Sequence, residues 1–555
     1  MWVNGMISKK REEKALFLWG MAVGFICFLL MFGVKIVDVT YDAWIFQGDI
    51  DLRQHYIGWC HFRTSDWHFP LGMIDSLSYP YSVSVIWTDS IPLFALFFKL
   101  FRGILPETFQ YLGLFTFLSF GLQGGLSAVL LRQVTDKKAV CMCGVFPFVL
   151  SFPILKRCFY HTALSAQWIL VLALFIWFSG VTHADRKKKM LLWGGMSVLC
   201  VLIHSYFIPM TALIMVADFA EDYWKQREWK SSLFGFAAFV SAGLLTLFAL
   251  GAFTGAVNTD YGLGGFNSNL NTLFNPLDHG ALLKELPLAT DFQYEGFGYL
   301  GAGILLLLMA SVVLLVKHLV SEKITVRAIM EKHRRAVLML AVMLVFFAAA
   351  LYPEISLNEK ILFRIPVPLA LMKLFGFFRS NGRFIMPVVY LLMTAAMGIA
   401  GRFAGKRILP LLLTVCILLQ AADLSGEYKK NREQYANPPQ EYESALLQEE
   451  VANALSEYRH FVMMYDDVTD MMEVEYCAYR LGMTNNRFYY ARDIDAQVET
   501  SLKAYRQAVY AGCAEKDCVF LFDEASYEEM KESGLYFCEV GDFIFGTVEP
   551  MEGKK

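Results

Sequence analysis

The sequence predicts an all-α polytopic membrane bundle of about 11–13 transmembrane helices, followed by a small soluble α/β domain. Three observations carry this. Of the 555 residues, 56% are hydrophobic and 18% charged, against roughly 25% charged in an ordinary soluble chain. The apolar residues fall in long runs rather than on alternating faces. Charge is also divided along the chain: residues 424–555 hold 26 acidic and 13 basic side chains, and residues 1–423 hold 26 acidic and 36 basic. The net charge of −3 gives no basic face for a nucleic acid, so no nucleic-acid partner is expected.

Windows apolar enough to cross a hydrocarbon core of about 30 Å, or nearly so, lie at 15–37, 85–102, 109–131, 139–155, 162–181, 190–204, 205–219, 231–254, 297–317, 336–352, 383–401 and 408–423. The first run is too long for the apolar core of a signal peptide and lacks a small-residue cleavage site, so it reads as a retained span. Lys9, Lys10, Arg11 and Lys14 precede it and place the N-terminus in the cytoplasm by the positive-inside rule. Arg186–Lys189, Lys225–Lys230, Lys332–Arg335 and Arg402–Arg407 mark later cytoplasmic loops. The loops 38–84, 256–296 and 353–382, the turn around His161 and the acidic tail then fall outside. Twelve crossings would return the tail to the cytoplasm, so one segment is re-entrant or missed. The suspects are 85–102, opened by Thr88-Asp89-Ser90 and kinked by Pro92, and the Pro147/Pro153 segment.

Eleven cysteines give no disulfide framework, since six lie in or beside apolar spans where a thiol behaves as a small hydrophobe. A Cys513–Cys518 bridge would be possible outside the cell, but nothing in the spacing demands it.

The first external loop runs Tyr41-Asp42-Ala43-Trp44 through Asp49-Ile50-Asp51-Leu52-Arg53-Gln54-His55-Tyr56-Ile57-Gly58-Trp59 to Phe62, Arg63, Trp67 and Pro70. Its carboxylates can accept a proton or bind a divalent cation, and its arginines suit phosphate oxygens. The same composition also suits an ordinary membrane interface, where Trp and Tyr are enriched whatever the function. A second cluster, Arg157 to Trp168, sets Arg157 snorkelling and His161 capping a helix against His161 and Gln167 lining an external cavity. The loop 256–296 is long and Gly-rich and closes on Tyr294-Glu295-Gly296-Phe297-Gly298-Tyr299. Glu295 there is either a solvated helix-start carboxylate or a substrate contact. Lys360, Arg364, Lys373, Arg379 and Arg383 put positive charge on the external side, where an anionic ligand or lipid headgroups would account for it.

Residues 424–445, with Pro438-Pro439, read as a polar linker, and 446–555 as the α/β domain. Its strands are expected at 460–465, 487–491, 518–523 and 536–548, with helices at 470–481, 495–508 and 525–532. No phosphate loop, metal-ligand spacing or nucleophile elbow occurs in it, which favours acceptor binding or scaffolding over separate catalysis.

These segments together resemble a family of bacterial polytopic membrane proteins with a GT-C-type glycosyltransferase appearance. The carrying residues are Gln54-His55-Tyr56-Ile57-Gly58-Trp59, Phe62-Arg63, Trp67, Pro70-Leu71-Gly72, Thr88-Asp89-Ser90-Ile91-Pro92, His161 to Trp168, Tyr294-Glu295-Gly296-Phe297 and Arg379-Ser380-Asn381-Gly382-Arg383-Phe384. The resemblance implies a GT-C-like fold, a polyprenyl-phosphate-linked sugar donor, and a glycan or lipid acceptor. It places the active site at the outer face of the bacterial cytoplasmic (inner) membrane. It implies an acid in the first external loop as base or metal-associated group, which falls on Asp51 or Asp49, with Asp89 a second carboxylate. A divalent cation, Mg or Mn, would be held by Asp49 and Asp51. Gln54, His55, Trp59, Arg63, His161, Gln167, Glu295, Tyr299, Arg379 and Arg383 are the substrate-binding candidates. The alternative function is a non-enzymatic transporter or flippase of a lipid-linked cell-envelope precursor. It is disfavoured by the lack of an internal repeat and by charges that cluster in loops and span mouths.

Overall fold

A computed structural model of the chain describes residues 2–254, 265–368, 378–490 and 496–551. It divides into two compact units: Met1–Asp38, Tyr111–Leu244 and Gly262–Asn437 form the first, and Val39–Gln110, Leu245–Tyr261 and Pro438–Lys555 the second.

The first unit is the helical bundle of a multi-pass membrane protein. Eight helical segments among the described residues are long and apolar enough to cross a membrane, or nine if the bent pair Ile408–Asp423 and Ser425–Tyr435 is one span. Fewer segments among the described residues meet that standard of length and apolarity than the 11–13 expected, for identifiable reasons. The window 85–102 holds only the helix Pro92–Lys99, at about 1.5 Å per residue far too short to cross. The helix Arg186–Ile203 opens on four consecutive basic residues, and Phe207–Gln226 carries Asp218, Glu221, Asp222 and Lys225. The Pro147/Pro153 segment lies inside a qualifying span, Lys138–Arg157, built of three short helices.

Packing in the bundle follows small residues. The helices Trp2–Phe32 and Leu112–Val134 cross where a Cβ on Gly20 would stand 2.2 Å from the Gly124 carbonyl oxygen, and one on Gly124 2.1 Å from that of Gly20. Only glycine permits this approach, as is usual where membrane helices associate without a hydrophobic drive. At one end of the bundle the buried Asp218 accepts from Thr182 Oγ1 at 2.7 Å and Trp193 Nε1 at 2.9 Å. One turn on, Glu221 accepts from Trp177 Nε1 at 2.8 Å and from Arg335 Nη2 at 2.9 Å, while Asp222 pairs with Lys189. The acids of this helix thus find hydrogen-bond or ionic partners inside the protein, as buried carboxylates require.

The second unit joins the first loop to the tail. The tail sheet has the spatial order Thr484–Asn485, His460–Met463, Cys518–Phe522, Phe543–Thr547, Tyr536–Val540. The first three strands are parallel and the last two form an antiparallel hairpin. Strand alternation sends Phe461, Val519, Leu521 and Phe545 to one core and Val462, Phe520 and Phe522 to the other, so helices cover both faces. The edge strand falls at 484–485 rather than at 487–491: Asn485 turns outward to the loop, accepting from Tyr79 N at 2.8 Å and donating its own N–H to Ser76 O at 3.0 Å. Residue 491 lies outside the described residues. Ser425–Tyr435, within the expected linker, is helical. All eleven cysteines are free, with Cys513 exposed and Cys518 buried, so the 513–518 bridge does not form.

Several further contacts bind loop and tail. Phe46 stacks on Tyr442 at 3.9 Å, and the hydroxyls of Tyr56 and Tyr476 both donate to Asp42 Oδ2, at 2.7 and 2.9 Å. Residues after the helix Lys230–Ala249 belong here too, since Ser84 Oγ donates to Leu250 O at 2.7 Å. Such a unit needs its segments on one side of the membrane. One span precedes residue 39, so an even number must lie between the loop and the tail. Eight spans in all leave seven, and the bent pair supplies the eighth. Counting Ile408–Tyr435 as a crossing therefore puts the tail on the side of the first loop.

Candidate functional site

The residues singled out in the sequence fall into two groups, one in each unit. In the second unit, Asp49 is the N-cap of the helix Ile50–Thr64 and accepts from Asp51 N at 3.1 Å, so its carboxylate starts the helix. Asp51 is buried in the first turn. One turn later Gln54 Nε2 donates to Trp87 O at 3.3 Å, and Ser90 Oγ donates to His55 O at 2.7 Å. The turn 87–90 is pressed against this helix at Gly58, where a Cβ would meet Thr88 Cβ at 2.4 Å. Asp89 sits in that turn, half-buried, with φ +51°, and Ile91 follows with φ +52°. Two side-chain-bearing residues in the left-handed region mark a strained turn beside the helix start, the kind of backbone that accumulates at working sites. Trp59 and Arg63 serve the scaffold: Trp59 Nε1 donates to Phe109 O at 2.8 Å, and the Arg63 guanidinium holds the carbonyls of Leu105, Pro106 and Glu107 at 2.7–3.1 Å.

In the first unit, three short elements meet. Arg157 ends the helix Phe152–Arg157, Glu295 lies in the 3-10 turn Gln293–Gly296, and Arg383 in the 3-10 turn Asn381–Phe384. Asn381 seats the last of these by donating to Ala349 O at 2.9 Å, a terminal carbonyl of the helix Arg334–Leu351. Arg383 Nε reaches Glu295 Oε1 at 2.6 Å and Arg157 Nη1 reaches the same oxygen at 3.1 Å, while Arg157 Nη2 donates to the Glu295 carbonyl. Burial would raise the Glu295 carboxyl, but the two guanidiniums outweigh it and hold the group below its ordinary range.

His161 is wedged between the cations, with Nδ1 3.1 Å from Arg157 Nη1 and Nε2 2.9 Å from Arg383 Nη2. Guanidinium nitrogens only donate, whereas a neutral imidazole accepts at one nitrogen and an imidazolium at neither. Arg379, half-buried, forms no ion pair among the described residues and lies 5.4 Å from the Phe266 ring centroid. Two arginines therefore share one carboxylate oxygen with an imidazole between them, and these groups together carry surplus positive charge.

Two sequence readings change here. Arg157 is fully buried and does not snorkel, and His161 makes no capping hydrogen bond at the turn it precedes. Glu295 is neither solvated nor at a helix start. Gln167 is buried with both amide ends used, accepting from Tyr390 OH at 2.5 Å and donating to Pro153 O at 3.0 Å. Tyr299 donates to Asp423 Oδ2 at 2.5 Å. Both serve the bundle's own packing. Arg157 is the functional candidate that sequence reasoning passed over; its signal was a guanidinium at the end of an apolar window.

The described residues build no three-ligand cation site from Asp49, Asp51 and Asp89. The one trio of His, Cys, Asp or Glu among them with ligand atoms within 4.8 Å of one another is Glu515, Asp517 and Cys518 in the tail. Asp49 is already committed to its helix.

A family profile described as a domain of unknown function, DUF6311, matches residues 21–425, and the profile of the DUF6311 C-terminal domain matches residues 450–547. The chain belongs to the DUF6311 family. Among solved structures this DUF6311 protein is similar to the archaeal oligosaccharyltransferase AglB from Archaeoglobus fulgidus, in complex with an inhibitory peptide and a dolichol-phosphate. That match has 10% identity, 98% of this chain and 75% of that one covered, and a TM-score of 0.44. The Archaeoglobus fulgidus oligosaccharyltransferase in the apo form gives 12% identity, 93% and 71% coverage, and a TM-score of 0.38. No curated protein matches the chain. Each polar group has its own chemistry: the second unit holds a buried carboxylate at a helix start, able to take a proton, and the first holds forked cationic donors suited to phosphate oxygens.

Proposed function

We propose that this DUF6311 protein is an integral-membrane glycosyltransferase. It moves a sugar from a polyprenyl-phosphate donor to a cell-surface glycan or lipid acceptor at the outer face of the cytoplasmic membrane. The observation that carries the reading is the surplus cation around Glu295, where Arg157 and Arg383 meet a single carboxylate with His161 between the two guanidiniums. A membrane protein that concentrates guanidiniums in this way calls for an anion, and a lipid phosphate supplies it.

In this reading Asp51 takes the proton of the acceptor hydroxyl, and the freed oxygen attacks the anomeric carbon of the donor. The bond between that carbon and the phosphate oxygen breaks, and its electron pair leaves with polyprenyl phosphate. Arg383 and Arg379 meet the charge that develops on the leaving phosphate, the form of help that donors fixed in advance give most cheaply. Glu295 keeps Arg383 and Arg157 in place, so it acts as a positioning residue.

The test uses purified full-length protein with a polyprenyl-phosphate sugar and an acceptor, and quantifies release of polyprenyl phosphate. Acceptor-dependent release is expected, and Asp51→Asn should lower it by about a hundredfold or more with an unchanged melting temperature. Movement of labelled lipid across proteoliposomes without any covalent product would overturn the reading, as would full activity in both Asp51→Asn and Asp49→Asn.

A further inference from the structure

At the opposite end of the helix Ile385–Phe403 from Arg383, the first unit has a groove of about 320 Å³. Its wall is apolar: Leu315, Leu319, Ile329, Met339 and Ile399 are representative. The polar exceptions are Thr394 and three nitrogen bases, His318, His333 and Arg402, and no carboxylate lines it. The His318 ring stacks on Phe403 at 4.4 Å, and the Arg402 guanidinium lies 5.6 Å from the same ring centroid. Arg402 is exposed and makes neither a hydrogen bond nor an ion pair among the described residues. Its fate contrasts with Arg335 and Lys189 at the same end, both of which are matched by carboxylates.

An apolar trough that ends in one uncompensated cation, Arg402, with two imidazoles beside it, at the mouth of a span matches an amphiphile with a negative head. We infer that this groove is a binding site for an anionic phospholipid of the adjoining leaflet. One acyl chain lies along Leu315, Leu319 and Ile399, and the phosphodiester sits at Arg402 between His318 and His333. Basic pockets between transmembrane helices select anionic headgroups in this manner. The site is separate from the Glu295 cluster and does not depend on the proposed transfer reaction.

The experiment is native mass spectrometry of the detergent-solubilised full-length protein, titrated with phosphatidylglycerol or with phosphatidylcholine of identical chains. Phosphatidylglycerol is expected to bind about fivefold or more tightly. Arg402→Gln should bring the two lipids close to parity, and Arg402→Lys should keep the preference. Ala395→Phe, which fills the trough, should weaken both. Equal binding of the two lipids by the wild type would overturn the inference, and so would a preference unchanged in Arg402→Gln. A polyprenyl phosphate that displaces phosphatidylglycerol in an Arg402-dependent manner would overturn it too, by making the occupant a monoester. Should Arg402→Gln not fold, the wild-type lipid comparison and Ala395→Phe still decide.

Discussion

Arg383 and Arg157 converge on one oxygen of Glu295, Oε1, from segments that lie 88 and 138 residues away along the chain. Both guanidiniums and the carboxylate are almost wholly buried, so the arrangement is held by charge as much as by packing.

Removing the carboxylate alone should therefore be severe. Glu295→Gln leaves two buried guanidiniums with no counter-charge, and a loss of about 3–5 kcal/mol is expected. Pairing Glu295→Gln with Arg383→Gln should recover part of that loss. Thermal unfolding in detergent reads both, and additive losses would show that the three groups do not act together.

The contact between loop and tail should respond to pH in two opposite ways. His61 Nε2 lies 3.3 Å from Glu475 Oε2 in a fully buried contact, and His61 Nδ1 bonds Ser76 Oγ at 2.7 Å. Burial pushes His61 down from 6.5 to about 4 and pushes Glu475 well up. The His61 contribution is whole above pH 6.5 and is lost as pH falls towards 4, because only the unfolded chain takes the proton readily. It amounts to roughly 3 kcal/mol. The Glu475 contribution is present at and below pH 4.5 and is lost as pH rises through its elevated folded value. His61→Gln should thus lose less stability than the wild type between pH 7 and pH 4.5, and Glu475→Gln should gain on the wild type as pH rises. Parallel melting curves for all three proteins across this range would contradict the assignment.

Much of the bundle was legible because each span is a local run of apolar residues, and the strands of the tail because Phe461-Val462-Met463 and Val519-Phe520-Leu521-Phe522 alternate between two cores. The window 85–102 misled because Val85, Ile86 and Trp87 are apolar for burial within a folded loop rather than for lipid. The acids Asp218, Glu221 and Asp222 reveal no partners locally, since Lys189, Trp177 and Arg335 come from other helices. The Glu295 cluster shares this property: each member was visible as an isolated charge, and only the fold joins them. The helix start at Asp49, by contrast, follows from an N-cap residue placed directly before a helix-forming run.

Side-by-side placement of loop and tail gives a topological prediction. Cys513 is exposed in the tail, and a cysteine introduced by Asp66→Cys marks the first loop. A membrane-impermeant maleimide should label both from the same face of oriented vesicles. Labelling from opposite faces would dismantle the second unit and the nine-span count with it.

The two carboxylates at the first-loop helix should separate by phenotype. Asp49→Ala removes the cap and should cost about 1 kcal/mol of stability, with turnover per folded molecule retained. Asp51→Asn should spare stability and abolish turnover. The reverse pattern would move the base to Asp49.

The central claim is that the Arg157–Glu295–Arg383–His161 cluster receives a lipid phosphate. Its most direct measurement is the affinity of the full-length protein for polyprenyl phosphate, wild type against Arg383→Gln, in protein carrying Arg402→Gln so that the distant groove is silent. Loss of one charge-assisted hydrogen bond, about 1.5–3 kcal/mol, predicts binding weakened by about ten- to a hundredfold. Identical affinity in the two proteins, with both folded, would contradict the claim.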